Sequence, residues 1–230
     1  MTTEWPPSTV HRLLSMTSSL ITLSDPRSTA AEAFRTLRAN LMFAGLERPL
    51  TTLLVTSPAP EDEKSLTLAN LAVSMAQGGR KTILVDCDLR RSAQHTLFGV
   101  AAQSGLTDAL LNENAAPALV SVGVENLSLL PAGSTPPNPA DLLGSRRLQS
   151  LISTLQSQAD IVLFDAPPLL AVSDAALLAS KVDGVLLVVG AGRTQRDHAQ
   201  RAKELLEKIH ARVVGAVLTN ATGDGKVNKY

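Results

Sequence analysis

Cysteine is almost missing. Cys87 is the only one in 230 residues, so the chain can close no internal disulfide and suits a reducing compartment. Aromatic residues make up 3%, which leaves the core to Leu, Val, Ile and Ala. No apolar run reaches the roughly 18 residues that a membrane span needs. The opening Met1-Thr2-Thr3-Glu4-Trp5-Pro6-Pro7 lacks the basic start of a secretory signal. Net charge is absent as well: 21 basic and 21 acidic residues cancel, which excludes a whole-chain nucleic-acid footprint. His11, His95, His198 and His210 are scattered without metal-ligand spacing. These absences predict a cytoplasmic protein with no nucleic-acid partner.

The residues that are present describe a compact domain, with 44% hydrophobic and 18% charged. Residues 1–27, rich in Ser, Thr and Pro, read as an N-terminal arm, residues 28–222 as one domain and residues 223–230 as a tail. From Ser28 to Gly45 the spacing of Phe34, Leu37, Leu41 and Ala44 is helical, with Gly45 as the expected C-cap. Short apolar runs follow at Leu50–Thr56, Thr82–Val85, Leu127–Leu130, Ile161–Phe164, Val185–Val189 and Val213–Leu218. Helical patterns fall between them at Ser65–Gln77, Gly105–Leu111, Arg146–Gln156, Asp174–Ser180 and Thr194–His210. This alternation predicts an α/β fold with a mostly parallel sheet flanked by helices, its ligands bound at the carboxyl edge of the strands. Pro131–Pro139 reads as a surface loop.

Three strand ends carry the chemistry. After the first comes Ser57-Pro58-Ala59-Pro60-Glu61-Asp62-Glu63-Lys64-Ser65, which opens a helix. A phosphate-binding loop uses backbone N–H groups, a Lys for the β/γ oxygens and a Ser or Thr hydroxyl for Mg²⁺, and Lys64 and Ser65 stand where those groups belong. The second strand ends in Asp86-Cys87-Asp88 and another in Asp165-Ala166-Pro167-Pro168. Mg²⁺ prefers oxygen ligands, so carboxylates beside a phosphate loop are chemically apt. Each strand-end Asp alone is equally a turn or cap residue, and only the ordered combination is specific. Cys87, between two aspartates, reads as small core packing. Gly190-Ala191-Gly192 lacks the remainder of a dinucleotide fingerprint.

The combination resembles the bacterial tyrosine kinases (BY-kinases) of capsule and exopolysaccharide systems, relatives of the partitioning ATPases. The resemblance runs from about Asp25 to Asn220. It includes Glu32-Ala33-Phe34-Arg35-Thr36-Leu37-Arg38, Asn70-Leu71-Ala72, Asp88-Leu89-Arg90-Arg91 and Leu130-Pro131-Ala132-Gly133. It implies a P-loop NTPase fold with ATP and Mg²⁺ as cofactors. Lys64 and Ser65 would take the Walker A role, Asp86 and Asp88 the Walker A′ role and Asp165 the Walker B role. The aspartates would hold Mg²⁺ together with Ser65, and an Asp of the A′ pair would be the base. It further implies that Glu32, Arg35 and Arg38 pack subunits into a ring, that Asn220 meets the adenine, and that Tyr230 is the phospho-acceptor. A membrane protein of the chain-length-regulator type is the implied partner, which would hold the chain at the inner face of the membrane.

The loop departs from the family where glycine normally precedes the Lys. Glu63 stands there, with Glu61 two positions earlier and Asp62 between them. A side chain in the conformation that glycine supplies costs about 1–2 kcal/mol. A carboxylate at ~5 Å from a phosphate charge adds about 3 kcal/mol of repulsion at an effective dielectric of 20. Two readings follow. One is a pseudokinase with weakened or lost ATP binding. In the other, Glu63 turns to solvent or pairs with Lys64, and an active tyrosine autokinase survives. A partitioning or cell-division ATPase and a scaffold with a vestigial nucleotide site are the remaining alternatives.

Overall fold

The computed structural model describes residues 20–112 and 116–221, so Tyr230 and most of the expected arm and tail lie outside the described residues. The chain begins with a single turn, α1 (Ile21–Ser24), followed by α2 (Thr29–Ala44). Ser28 caps α2 by accepting a hydrogen bond from the Ala31 N–H. Gly45 closes that helix in right-handed geometry (φ −84°), its N–H on the Leu41 carbonyl, so the cap makes no demand that only glycine meets.

Strand β1 (Thr52–Thr56) leads through the acidic loop into α3 (Lys64–Gln77) and then β2 (Thr82–Asp86). Next come α4 (Gln94–Leu97), α5 (Leu106–Leu111), β3 (Val120–Ser121) and β4 (Leu127–Leu130). The chain continues through α6 (Pro139–Gly144), α7 (Arg146–Gln156) and β5 (Ile161–Asp165), then α8 (Asp174–Ala179), β6 (Gly184–Gly190), α9 (Arg196–Lys208) and β7 (Val213–Thr219). The sheet order is β3-β4-β2-β5-β1-β6-β7. Only β3 runs antiparallel to its neighbour.

The two-residue alternation along each central strand splits the core into two layers. Leu54, Val85, Val162, Phe164 and Leu187 face α5 to α9. Leu53, Val55, Leu84, Leu163 and Val188 face α2 and α3. Helix α7 shows the helical counterpart: Leu148, Ile152 and Leu155, four and three apart, form its buried stripe. The doubly covered central strands explain why their sequences are apolar throughout.

Part of the expected arm is built into this body. Leu20 is fully buried, and the Thr22 N–H and Oγ1 both donate to Asn70 Oδ1 on α3, at 3.1 and 3.0 Å. The loop expected over Pro131–Pro139 gives way to α6, which starts on Pro139, a residue pre-set for the first helical turn. Helix α9 is shorter than its sequence pattern, ending before His210, which sits at φ 54°.

Candidate active site

The strand register explains why the aspartates converge. Asp86 and Asp165 are direct partners across β2 and β5, at the carboxyl ends of both strands. Like charges placed this way repel, and Lys64, in the first turn of α3, relieves the repulsion. Its Nζ lies 3.0 Å from Asp165 Oδ1 and 3.0 Å from Asp88 Oδ2, and donates to Ser65 Oγ at 3.1 Å. Lys64, Asp86, Asp88 and Asp165 are all buried.

Burial by itself would lower the Lys64 pKa, but the charges of Asp165 and Asp88 outweigh it and hold the ammonium more firmly protonated than usual. Asp86 is pushed up to about 8, first by burial and then by the charge of Asp165. This happens although Asp86 accepts hydrogen bonds from the Asp88, Ala93 and Gln94 N–H groups. The Cys87 thiol is driven well above its ordinary value by burial first and then by Asp86, Asp165 and Asp88, which makes it inert.

The loop before α3 has the form of an anion cradle. Glu63 sits at φ 56°, ψ 31°, the left-handed region that favours glycine. The Thr67 N–H finds the Glu63 carbonyl, whereas those of Lys64, Ser65 and Leu66 have no protein acceptor among the described residues. A cleft of about 200 Å³ opens over them, bordered by Glu63, Lys64, Ser65, Asp88, Arg91 and Pro168.

Neither acidic side chain closes the cradle. Glu63 turns outward to Arg193, Oε1 to Nη1 2.9 Å. It does not pair with Lys64, whose partners are Asp88 and Asp165. Glu61 is exposed.

Three residues of the candidate site carry no separate message in the sequence. Gln94 is fully buried, and its Nε2 donates to Asp165 Oδ2 at 2.7 Å and to the Ser65 carbonyl at 3.0 Å, while its Oε1 has no partner. Asp62 is also fully buried and accepts from the Ala59 and Gly190 N–H groups, each at 3.0 Å, and from the Thr194 hydroxyl. Arg193 is the third. Their roles come from the close approach of separate loops, which no local spacing encodes.

The ring-forming candidates on α2 are engaged within the chain. Arg35 pairs with Glu32 at 2.6 Å, and Arg38 Nη1 donates to the Ser74 carbonyl at 2.5 Å, capping α3 from outside. Asn220, at φ 54°, is exposed beyond β7, on the same sheet edge as the acidic loop. Tyr230 lies outside the described residues.

A family model described as "AAA domain" matches residues 63–213. The tyrosine-protein kinase YwqD of Bacillus subtilis is 39% identical over 204 residues, covering 88% of this chain and 86% of the relative. The chain belongs to the bacterial tyrosine-kinase family. The putative tyrosine-protein kinase CapB of Staphylococcus aureus is 36% identical over 93% of this chain and 94% of its own. Among solved structures, the chimerical protein CapA2B2 superposes with a TM-score of 0.84 at 38% identity, covering 87% of this chain and 89% of that one. The kinase domain of the Escherichia coli tyrosine kinase ETK also gives 0.84, at 29% identity over 100% of this chain and 85% of that one. The cell-division ATPase MinD of Pyrococcus furiosus, at 24% identity and a TM-score of 0.63, shares the fold.

A nucleotide with Mg²⁺ fits the BY-kinase donor set. The open N–H groups of α3 suit phosphate oxygens, and the Ser65 hydroxyl with Asp86 and Asp165 offers Mg²⁺ only oxygen. Among the described residues no three His, Cys, Asp or Glu side chains converge as a ready metal cage.

Among the described residues no helix is long and apolar enough to cross a membrane.

Proposed function

We propose that this chain is a tyrosine-kinase-type regulator of capsule or exopolysaccharide assembly whose Mg·ATP affinity is weakened by its Glu61-Asp62-Glu63 loop. The supporting observation is Glu63 itself, a side-chain-bearing residue held in left-handed geometry one position before Lys64, at the mouth of the anion cradle. The cradle keeps its shape, so the loss is electrostatic and partial. One extra carboxylate, that of Glu63, borders a site meant for a polyanion, and Glu61 adds its charge from the exposed side of the loop.

Within that site Lys64 and the N–H groups of Lys64, Ser65 and Leu66 would hold the phosphates, with Asn220 on the base side. Ser65, Asp86 and Asp165 would hold Mg²⁺, which when bound neutralises phosphate charge. Lys64, once drawn to a phosphate, leaves Asp88 Oδ2 free to accept the proton of a tyrosine hydroxyl. Gln94 keeps Asp165 in place throughout. Tyr230, the only tyrosine in the sequence, would be the acceptor in an autophosphorylation. Glu32, Arg35 and Arg38 would present the subunit contact of a ring, and a membrane chain-length regulator would recruit the chain to the inner face of the membrane.

Calorimetric titration with Mg·ADP tests this reading against Glu63→Gly. Weak binding by the unmodified chain, tightened by the substitution, is the expected result; micromolar binding by the unmodified chain overturns it. A second reading, a fully competent autokinase, draws on the outward turn of Glu63 toward Arg193. Phosphotyrosine that forms with ATP and disappears in Tyr230→Phe would favour it.

A further inference from the structure

The turn after β6 grips every residue of the acidic loop. Asp62 Oδ1 accepts from the Gly190 N–H at 3.0 Å and from the Thr194 hydroxyl. A Cβ on Gly190 would stand 2.9 Å from that same oxygen, so the close approach requires the glycine. Arg193 Nη1 donates to Glu63 Oε1 at 2.9 Å and reaches the Glu61 carbonyl at 3.4 Å. From the far side, Thr219 Oγ1 on β7 reaches the Asp62 carbonyl at 3.4 Å. Asp62 is therefore a fixed pivot, and Arg193 is the one recorded side-chain partner of the Glu63 carboxylate among the described residues.

A left-handed residue with a side chain persists only where its surroundings over-determine it. Glu63 has no cap of its own, for its side chain makes no hydrogen bond to the first turn of α3. The groups available to over-determine it are on the β6–α9 turn. We propose that Arg193 is a positioning residue for the phosphate loop: it holds the Glu63 carboxylate outside the cradle and steadies the left-handed backbone, a task the family's glycine makes unnecessary. This inference rests on the nucleotide-site reading above and specifies how that site tolerates its acidic loop. It sets Arg193 apart from a phosphate ligand, since a guanidinium that serves Glu63 has no purpose once Glu63 is gone.

Two measurements test it. The first needs no nucleotide: hydrogen exchange of the 59–66 segment in the unmodified protein, Arg193→Ala and Arg193→Lys. Arg193→Ala should speed exchange in that segment about 5-fold while exchange in the central strands stays close to unchanged, and Arg193→Lys should restore most of the protection. Unchanged exchange overturns the proposal, whatever the protein does with nucleotide. The second is a double-mutant cycle on the Mg·ADP dissociation constant. Arg193→Ala should weaken binding about 5- to 10-fold when Glu63 is present and less than 2-fold in the Glu63→Gly background. Equal weakening in both backgrounds overturns the proposal and makes Arg193 a direct phosphate ligand. Failure of the nucleotide reading looks different: micromolar binding by the unmodified chain that Glu63→Gly does not improve, with the exchange result still standing.

Discussion

Replacing Glu63 by Gly separates two effects that the acidic loop combines. On stability, removing a side chain from φ 56° relieves about 1–2 kcal/mol of left-handed strain. Against this, glycine's greater freedom in the unfolded chain costs about 0.5–1 kcal/mol. Loss of the Glu63–Arg193 pair costs no more than about 1 kcal/mol, because both side chains are substantially exposed, 38% and 50%, and solvent screens the pair. The sum lies within about 1 kcal/mol of zero, so the urea midpoint should barely move. On affinity, a carboxylate ~6 Å from a phosphate charge contributes about 3 kcal/mol of repulsion at an effective dielectric of 20. Arg193 cancels part of it, leaving about 1.5–2.5 kcal/mol, or about 10- to 70-fold in dissociation constant. Calorimetry with Mg·ADP at fixed ionic strength reads this directly, and raising salt should shrink the difference between the two proteins. A change below 3-fold at low salt would refute the electrostatic reasoning. A large fall in urea midpoint would refute the assignment of strain to Glu63.

Other outcomes follow from the same geometry. Lys64→Met leaves Asp88 and Asp165 without their shared counter-charge and should cost about 3 kcal/mol in urea unfolding at neutral pH. Asp183 accepts from the Thr51 N–H, the Thr51 hydroxyl and the Thr52 N–H at 2.8–2.9 Å. Burial tends to raise its pKa, but these donors prevail and lower it. A lowered folded-state pKa means a contribution that is complete above the unfolded value near 4 and lost as pH falls below it. Asp183→Ala should therefore cost about 1–3 kcal/mol at pH 7 and flatten that acid limb of the stability profile. Leu155→Ala, which hollows the fully buried stripe of α7, should cost about 2–5 kcal/mol by the same assay.

The central strands are legible because they are buried on both faces and interrupted by well-spaced helices; their observed ends differ from the apolar runs by at most two residues. β3 was invisible because two half-exposed residues form no pattern, and α4 because a four-residue turn has neither period nor cap. α6 was hidden at the end of a proline-rich stretch, although Pro139 is itself a start signal for a helix. Lys64, Ser65, Asp86, Asp88 and Asp165 were readable because strand ends announce the sheet edge. Nothing local marks Asp62 off from its two acidic neighbours, yet its burial and its bonds to Gly190 and Thr194 make it the loop's anchor. The outward turn of Glu63 was one of two foreseen possibilities, and its partner, Arg193, lies 130 residues away in sequence, beyond the reach of any local rule.

Amide shifts on adding Mg·ADP to the isotopically labelled protein test most directly whether the turn after β1 receives the anionic end of a nucleotide. The largest movements should fall on Lys64, Ser65 and Leu66, at millimolar ligand in the unmodified chain and at lower concentration in Glu63→Gly. If those amides stay still in both proteins at 10 mM, about ten times a millimolar dissociation constant, or if the shifts gather at the opposite edge of the sheet, the cradle does not hold phosphate.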